Sequence, residues 1–157
     1  MNNINLTVKI ERAISELRRG GKVVITDNNN NISMLLTPAE LIQENTVDQF
    51  LNLAKSRPNI LLSANRCKAI GINTNNKPCS IMINKNWTSS DIMSICLPLS
   101  NQEKPIISGV ISESTTGIAS SSLLILRQAR LLPAAIVSLV SYIPTENIRD
   151  WCFKNNL

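Results

Sequence analysis

The stretch Gly117–Ser138, GIASSSLLILRQARLLPAAIVS, decides how the chain is organised. A glycine opens it, and apolar residues then recur at helical spacing over 119–132. Pro133 stops that run, because proline cannot donate a backbone hydrogen bond and pushes the residue before it out of helical conformation. Behind the proline, 135–140 is short, apolar and rich in Val and Ile, as a buried strand requires. The segment reads as loop, helix and strand.

The same alternation extends outward. Apolar Ile10, Ala13, Ile14 and Leu17 share one face of a helix over 7–19, which Gly20 and Gly21 terminate. Residues 22–26 (KVVIT) and 32–36 form two strands of a hairpin around the turn-favouring run Asp27–Asn31. Thr37-Pro38-Ala39-Glu40 fits either a helix start or a strand end. A helix over 46–55 turns Val47, Phe50, Leu51 and Ala54 inward, and 59–63 is a strand. A short helix over 64–70 stops at Gly71, 79–83 is a strand, and Thr88-Ser89-Ser90-Asp91 caps a helix through Cys96. Residues 105–111 read as extended and 145–154 as a terminal helix. The alternation favours α/β or α+β over pure classes, and the chain is read as one α+β domain over 1–157, a mixed sheet with flanking helices.

Bulk composition narrows the function. The 157 residues suffice for one domain with a core, and at 43% apolar but 3% aromatic that core is aliphatic. The net charge of +5 is scattered, densest at Arg12, Arg18, Arg19 and Lys22, without the basic stripe and interleaved aromatics of nucleic-acid binders. The twenty asparagines fit drift in an AT-rich genome. Cysteines 67, 79, 96 and 152 contain no Cys-x-x-Cys pair, so neither a zinc site nor a redox pair is signalled. No apolar run is long enough for a membrane span, and the N-terminal sequence lacks the apolar core of a signal peptide. A cytoplasmic protein with reduced thiols is expected.

Several segments together resemble 3,4-dihydroxy-2-butanone 4-phosphate synthases of riboflavin biosynthesis. Ile10–Thr26 is similar to that family's opening helix, glycine and strand; Arg57–Ser63 with Cys67–Ile72 to its next strand and short helix; Cys79–Asn84 to a central strand. Gly117–Ala135 has the spacing of its Gly-His-Thr-Glu loop, helix and Pro-Ala strand entry, although a stretch expected before Gly117 is missing. The resemblance implies a synthase-like fold and, in the family, two magnesium ions held by carboxylates and histidine, which drive release of formate from ribulose 5-phosphate. Here the acidic loop keeps only Asp27, followed by four asparagines, and the chain has no histidine. Ile118 stands at the histidine's place, Ala119 at a phosphate-contacting threonine's and Ser120 at an acid's. Thr115-Thr116-Gly117 has the letters of the family's phosphate segment at the wrong place.

The run Ala129–Ala135, ARLLPAA, resembles a signature in degenerate N-terminal domains of alphaproteobacterial GTP cyclohydrolase II, whose cyclohydrolase half is absent here. The resemblance therefore implies an inactive domain with no cofactor. Its role would be structural, as a homodimer or beside a GTP cyclohydrolase II partner. The candidate remnants of the cleft are Asp27, Thr88, Ser89, Asp91, Ile118 and Ser120, with no catalytic residue and no metal ligand set. Each has a plainer reading: Asp27 as a turn residue, Thr88–Asp91 as a capping box, Arg127 and Arg130 as solvated helix charges, Cys67, Cys96, Trp87 and Trp151 as packing. The alternative is a residual synthase using Asp27 and backbone groups to hold magnesium.

Overall fold

In the computed structural model, which describes residues 3–98, 103–112 and 117–157, helices cover both faces of a six-stranded sheet. The order along the chain is α1 (Asn3–Arg18), β1 (Val23–Asp27), β2 (Ile32–Pro38), α2 (Thr46–Ala54), β3 (Asn59–Leu62), α3 (Ala64–Ala69), β4 (Cys79–Met82), α4 (Ser89–Cys96), β5 (Val110–Ser112), α5 (Ile118–Gln128), β6 (Ala134–Leu139) and α6 (Ile148–Lys154). In space the strands run β1-β2-β6-β3-β4-β5, so β6, last in sequence, lies between β2 and β3.

The expected α+β class with helices flanking a sheet holds, but the sheet is not mixed. All five pairings are antiparallel. Alternation of helices with strands does not fix direction. The six residues of α3 span roughly 9 Å, too short to run back along the sheet, and the chain re-enters β4 from the end at which it left β3.

Strand side chains alternate between faces, and that alternation divides the core. Leu35, Ile60, Leu62, Ile81 and Ile136 meet Phe50, Cys67, Ile92, Ile95 and Ile148 from α2, α3, α4 and α6. Their neighbours Met34, Leu36, Leu61, Ala135 and Val137 meet Leu17, Ile118, Ala119, Leu123 and Leu126 from α1 and α5. Complete burial of a Leu or Ile contributes about 1.5–3 kcal/mol, and the central strands β3 and β6 bury side chains on both faces.

Several local readings shift. Leu17 is fully buried, whereas Ile10 on the same helix is exposed, and Leu51 points outward from α2. Thr37–Pro38 ends β2, and the ambiguous run resolves into a strand end followed by one 3-10 turn over Ala39–Leu41. Helix α5 stops at Gln128 rather than Leu132, because Arg130 takes a left-handed conformation at φ 60°. That turn is the structural content of the ARLLPAA run. The Leu131 N–H donates to the Leu126 carbonyl, the Leu132 N–H donates to Glu40 Oε1 at 2.8 Å, and the Pro133 carbonyl accepts from the Ser63 N–H. The chain is thereby fastened as it enters β6. The terminal helix likewise begins as a 3-10 turn, Thr145–Asn147, before α6.

Candidate functional site

Two elements paired by the sequence comparison meet in space. The β1–β2 turn and the first turn of α5 enclose a cleft of ≈ 400 Å³ lined by Ile25 through Asn29 and by Gly117, Ile118 and Ser121. Asp27 and Ile118 thus share one opening. Ser120 does not line it and is exposed; Ser121, one residue on, turns toward the cleft. Helical geometry had signalled this, since residue 121 falls three after 118 and shares its face. Thr115 and Thr116 lie outside the described residues, while Gly117 caps α5 in the left-handed region at φ 66°.

Asp27 is committed to its own turn. Its Oδ1 accepts from the N–H groups of Asn29 at 3.1 Å and Asn30 at 3.2 Å, and its Oδ2 accepts from Asn30 Nδ2 at 2.7 Å. The Asn30 side-chain amide, followed by its backbone N–H, holds the Asp27 carboxyl below the usual range. Ile118, 5% exposed, packs into the apolar layer with Leu123 and Ala119.

Magnesium does not fit this donor set. A carboxylate offers about four lone-pair directions, and three bonds to the turn already use most of those of Asp27. The hard oxygens and charge that Mg²⁺ requires are opposed here by an isoleucine and by asparagines that add no negative charge. Among the described residues, no three His, Cys, Asp or Glu side chains come together as a ligand set.

Thr88, Ser89 and Asp91 do not join the cleft. They begin α4, which packs on the face of the sheet opposite to α5. Thr88 Oγ1 accepts from the Asp91 N–H at 3.2 Å, and Asp91 Oδ2 accepts from the Thr88 N–H at 2.7 Å and from its hydroxyl at 2.8 Å. This is a capping box. The Thr88 N–H, then its hydroxyl, keeps the Asp91 carboxyl below its ordinary range.

The far end of α4 is held by a residue that sequence reasoning missed. Arg66 on α3 donates Nε to the Ile95 carbonyl at 2.7 Å, and Nη2 to those of Leu97 at 2.7 Å and Ser94 at 3.3 Å. One guanidinium thus satisfies three carbonyls at a helix C-terminus, where partners within the helix run out.

Among the cysteines, Cys67 alone is drawn below its ordinary value, by the Cys79 thiol, and it lies fully buried. All four cysteines are free thiols. The Cys67 thiol and burial push Cys79 up, burial pushes Cys96 up to about 12, and burial raises Cys152. None of these three carries the thiolate a nucleophile needs. Arg127 and Arg130 are exposed on α5 and just after it. Trp87 and Trp151 are partly buried against the core, Trp151 edge-on to Tyr142 and donating Nε1 to its hydroxyl at 2.9 Å.

Solved structures share this architecture. A 3,4-dihydroxy-2-butanone 4-phosphate synthase of Candida albicans superimposes with a TM-score of 0.72 over 94% of this chain and 90% of its own, at 16% identity. The chain has the fold of these synthases. A two-domain synthase from A. baumannii matches at a TM-score of 0.70 and 16% identity over 94% of this chain, which spans only 54% of that protein. A cation-free synthase structure matches at 0.64 and 14% identity over 83% of the chain and 74% of its own. No protein-family description and no curated protein matches the sequence. Among the described residues, no helix is long and apolar enough to cross a membrane.

Proposed function

We propose that this chain is a catalytically inactive synthase-like domain of riboflavin biosynthesis, retained in the cytoplasm for a structural or interaction role. Its partner is a second copy of itself or a GTP cyclohydrolase II, like the degenerate N-terminal domains that its ARLLPAA run resembles. The observation that carries this reading is the cleft at Asp27 and Ile118. It brings together Asp27 and Ile118, the positions that the family resemblance assigns to metal binding, but Asp27 is tied into its own turn and Ile118 is buried. Loss of the ligands alongside a well-packed core is the pattern expected when the shell remains useful and the chemistry does not.

A second reading, residual synthase activity, draws on the cleft still being open with Asp27 at its lip. It requires a metal held without histidine or a second carboxylate, and it is the less favoured of the two. Light scattering after size-exclusion chromatography tests the interaction role, on the chain alone and mixed with purified GTP cyclohydrolase II. The expected result is a dimer mass or a stable mixed complex. A monomer that associates with neither at micromolar concentration overturns it.

A further inference from the structure

A second groove lies away from the cleft. It has a volume of ≈ 670 Å³ and follows the free edge of β1, which closes one end of the sheet. Helix α1 forms one wall through Lys9, Arg12, Ala13 and Glu16, which fall on a single helical stripe. Asn155, Asn156 and Leu157 form the opposite wall, and Val24, Leu53 and Cys152 give it an apolar floor.

The charges in this groove are unbalanced. Of the four cations that cluster near α1 in sequence, two are occupied elsewhere: Arg18 Nε donates to the Ala129 carbonyl at 3.0 Å, and Arg19 pairs with Glu16. Arg12 and Lys22 remain and face the groove, joined by Lys9. Among the described residues, none of these three side chains has a hydrogen-bond or ion-pair partner. Glu16 is the acidic side chain lining the groove and Arg19 already offsets it, so the three cations outnumber the negative charge even with the terminal carboxylate of Leu157 counted. Burial also lowers the Lys22 ammonium from its ordinary value, so its charge sits where water compensates it incompletely.

We propose that this groove binds a small phosphorylated molecule, its dianion held by Arg12, Lys22 and Lys9 and its apolar part resting on Val24, Leu53 and Cys152. The groove's ≈ 670 Å³ falls within the roughly 300–1,000 Å³ of small-molecule sites. The raised Cys152 thiol takes no covalent part. The site is separate from the Asp27 cleft and stands whether or not that cleft is inactive.

Phenyl phosphate is a suitable probe, because it joins a dianion to an apolar ring. In ¹⁵N NMR titrations of the full chain it is expected to shift the amides of 21–24 and 152–157, more strongly than inorganic phosphate or benzyl alcohol does. The double variant Arg12→Gln, Lys22→Gln should bind at least about tenfold more weakly. Lys85→Gln, which removes an exposed cation beyond β4 and away from the groove, should leave binding at the wild-type level. Raising KCl should weaken the wild-type interaction. Absence of localised shifts at millimolar phenyl phosphate overturns the proposal. So does equal response to benzyl alcohol, salt-independent binding, or undiminished binding by a folded double variant.

Discussion

Replacing Arg66 by methionine isolates the device that ends α4. The substitution keeps a long stem against α3 but removes every donor. Two of the lost bonds, to the Ile95 and Leu97 carbonyls, are 2.7 Å long, and the third, to Ser94, is a weaker 3.3 Å. A hydrogen bond from a charged group contributes about 1.5–3 kcal/mol in a protected site. Arg66 is only partly buried, so water replaces part of what is lost. Counting the two short bonds at the lower figure gives a cost of about 2–3 kcal/mol, or roughly 4–12 °C in Tm for a chain of this length. Arg66→Lys keeps the charge but not the planar fork, and should recover less than half of the loss. Urea denaturation followed by circular dichroism measures both variants, with a lowered midpoint and unchanged slope expected. If Arg66→Met lies within about 0.5 kcal/mol of wild type, or Arg66→Lys matches wild type, then the guanidinium is not what secures α4 and the reasoning fails.

Arg130→Gly should stabilise the protein by about 0.5–1 kcal/mol, since an exposed arginine at φ 60° bears a left-handed strain that glycine avoids; a destabilised variant in thermal melts would instead assign Arg130 a contact that matters. Thr88→Ala should cost about 0.5–1 kcal/mol by unmaking the α4 capping box, measurable in the same urea titration. Acid should reveal the box as well. The folded Asp91 carboxyl lies below its ordinary value, so its contribution is complete above about pH 4 and disappears as pH falls through the lowered folded value. Thr88→Ala removes the hydroxyl but keeps the N–H, so it should reduce without abolishing the loss of stability below about pH 4, and an unchanged acid profile would contradict the hydroxyl's share. Asp27→Asn should leave the response to magnesium unaltered, with no Mg²⁺-dependent amide shifts at 26–31 or 117–121 in either protein; shifts confined to wild type would identify Asp27 as a ligand.

Local signals made much of the fold legible. The Asp27–Asn31 turn, the glycines after α1 and α3, and the Thr88–Asp91 box each fix backbone geometry within a few residues, and each appears where the sequence placed it. What escaped was non-local. Nothing in 134–139 says that this segment inserts between β2 and β3, or that all pairings become antiparallel. The end of α5 was misplaced because an arginine, not a glycine, takes the left-handed turn. The candidate site was half legible for the same reason. Asp27 and Ile118 meet because both lie at ends of adjacent elements. The start of α4 joins them only through its likeness to a helix start in the synthase family, and the alternation of strand faces sends it to the other side of the sheet.

The central claim is that the cleft retains its shape and has lost its chemistry. Its most direct test is formate release when the purified protein is incubated with ribulose 5-phosphate and magnesium. The account predicts no release above a protein-free control. Sustained turnover, proportional to protein concentration and abolished by EDTA, would contradict it and would require metal ligands other than those facing the Asp27–Ile118 cleft.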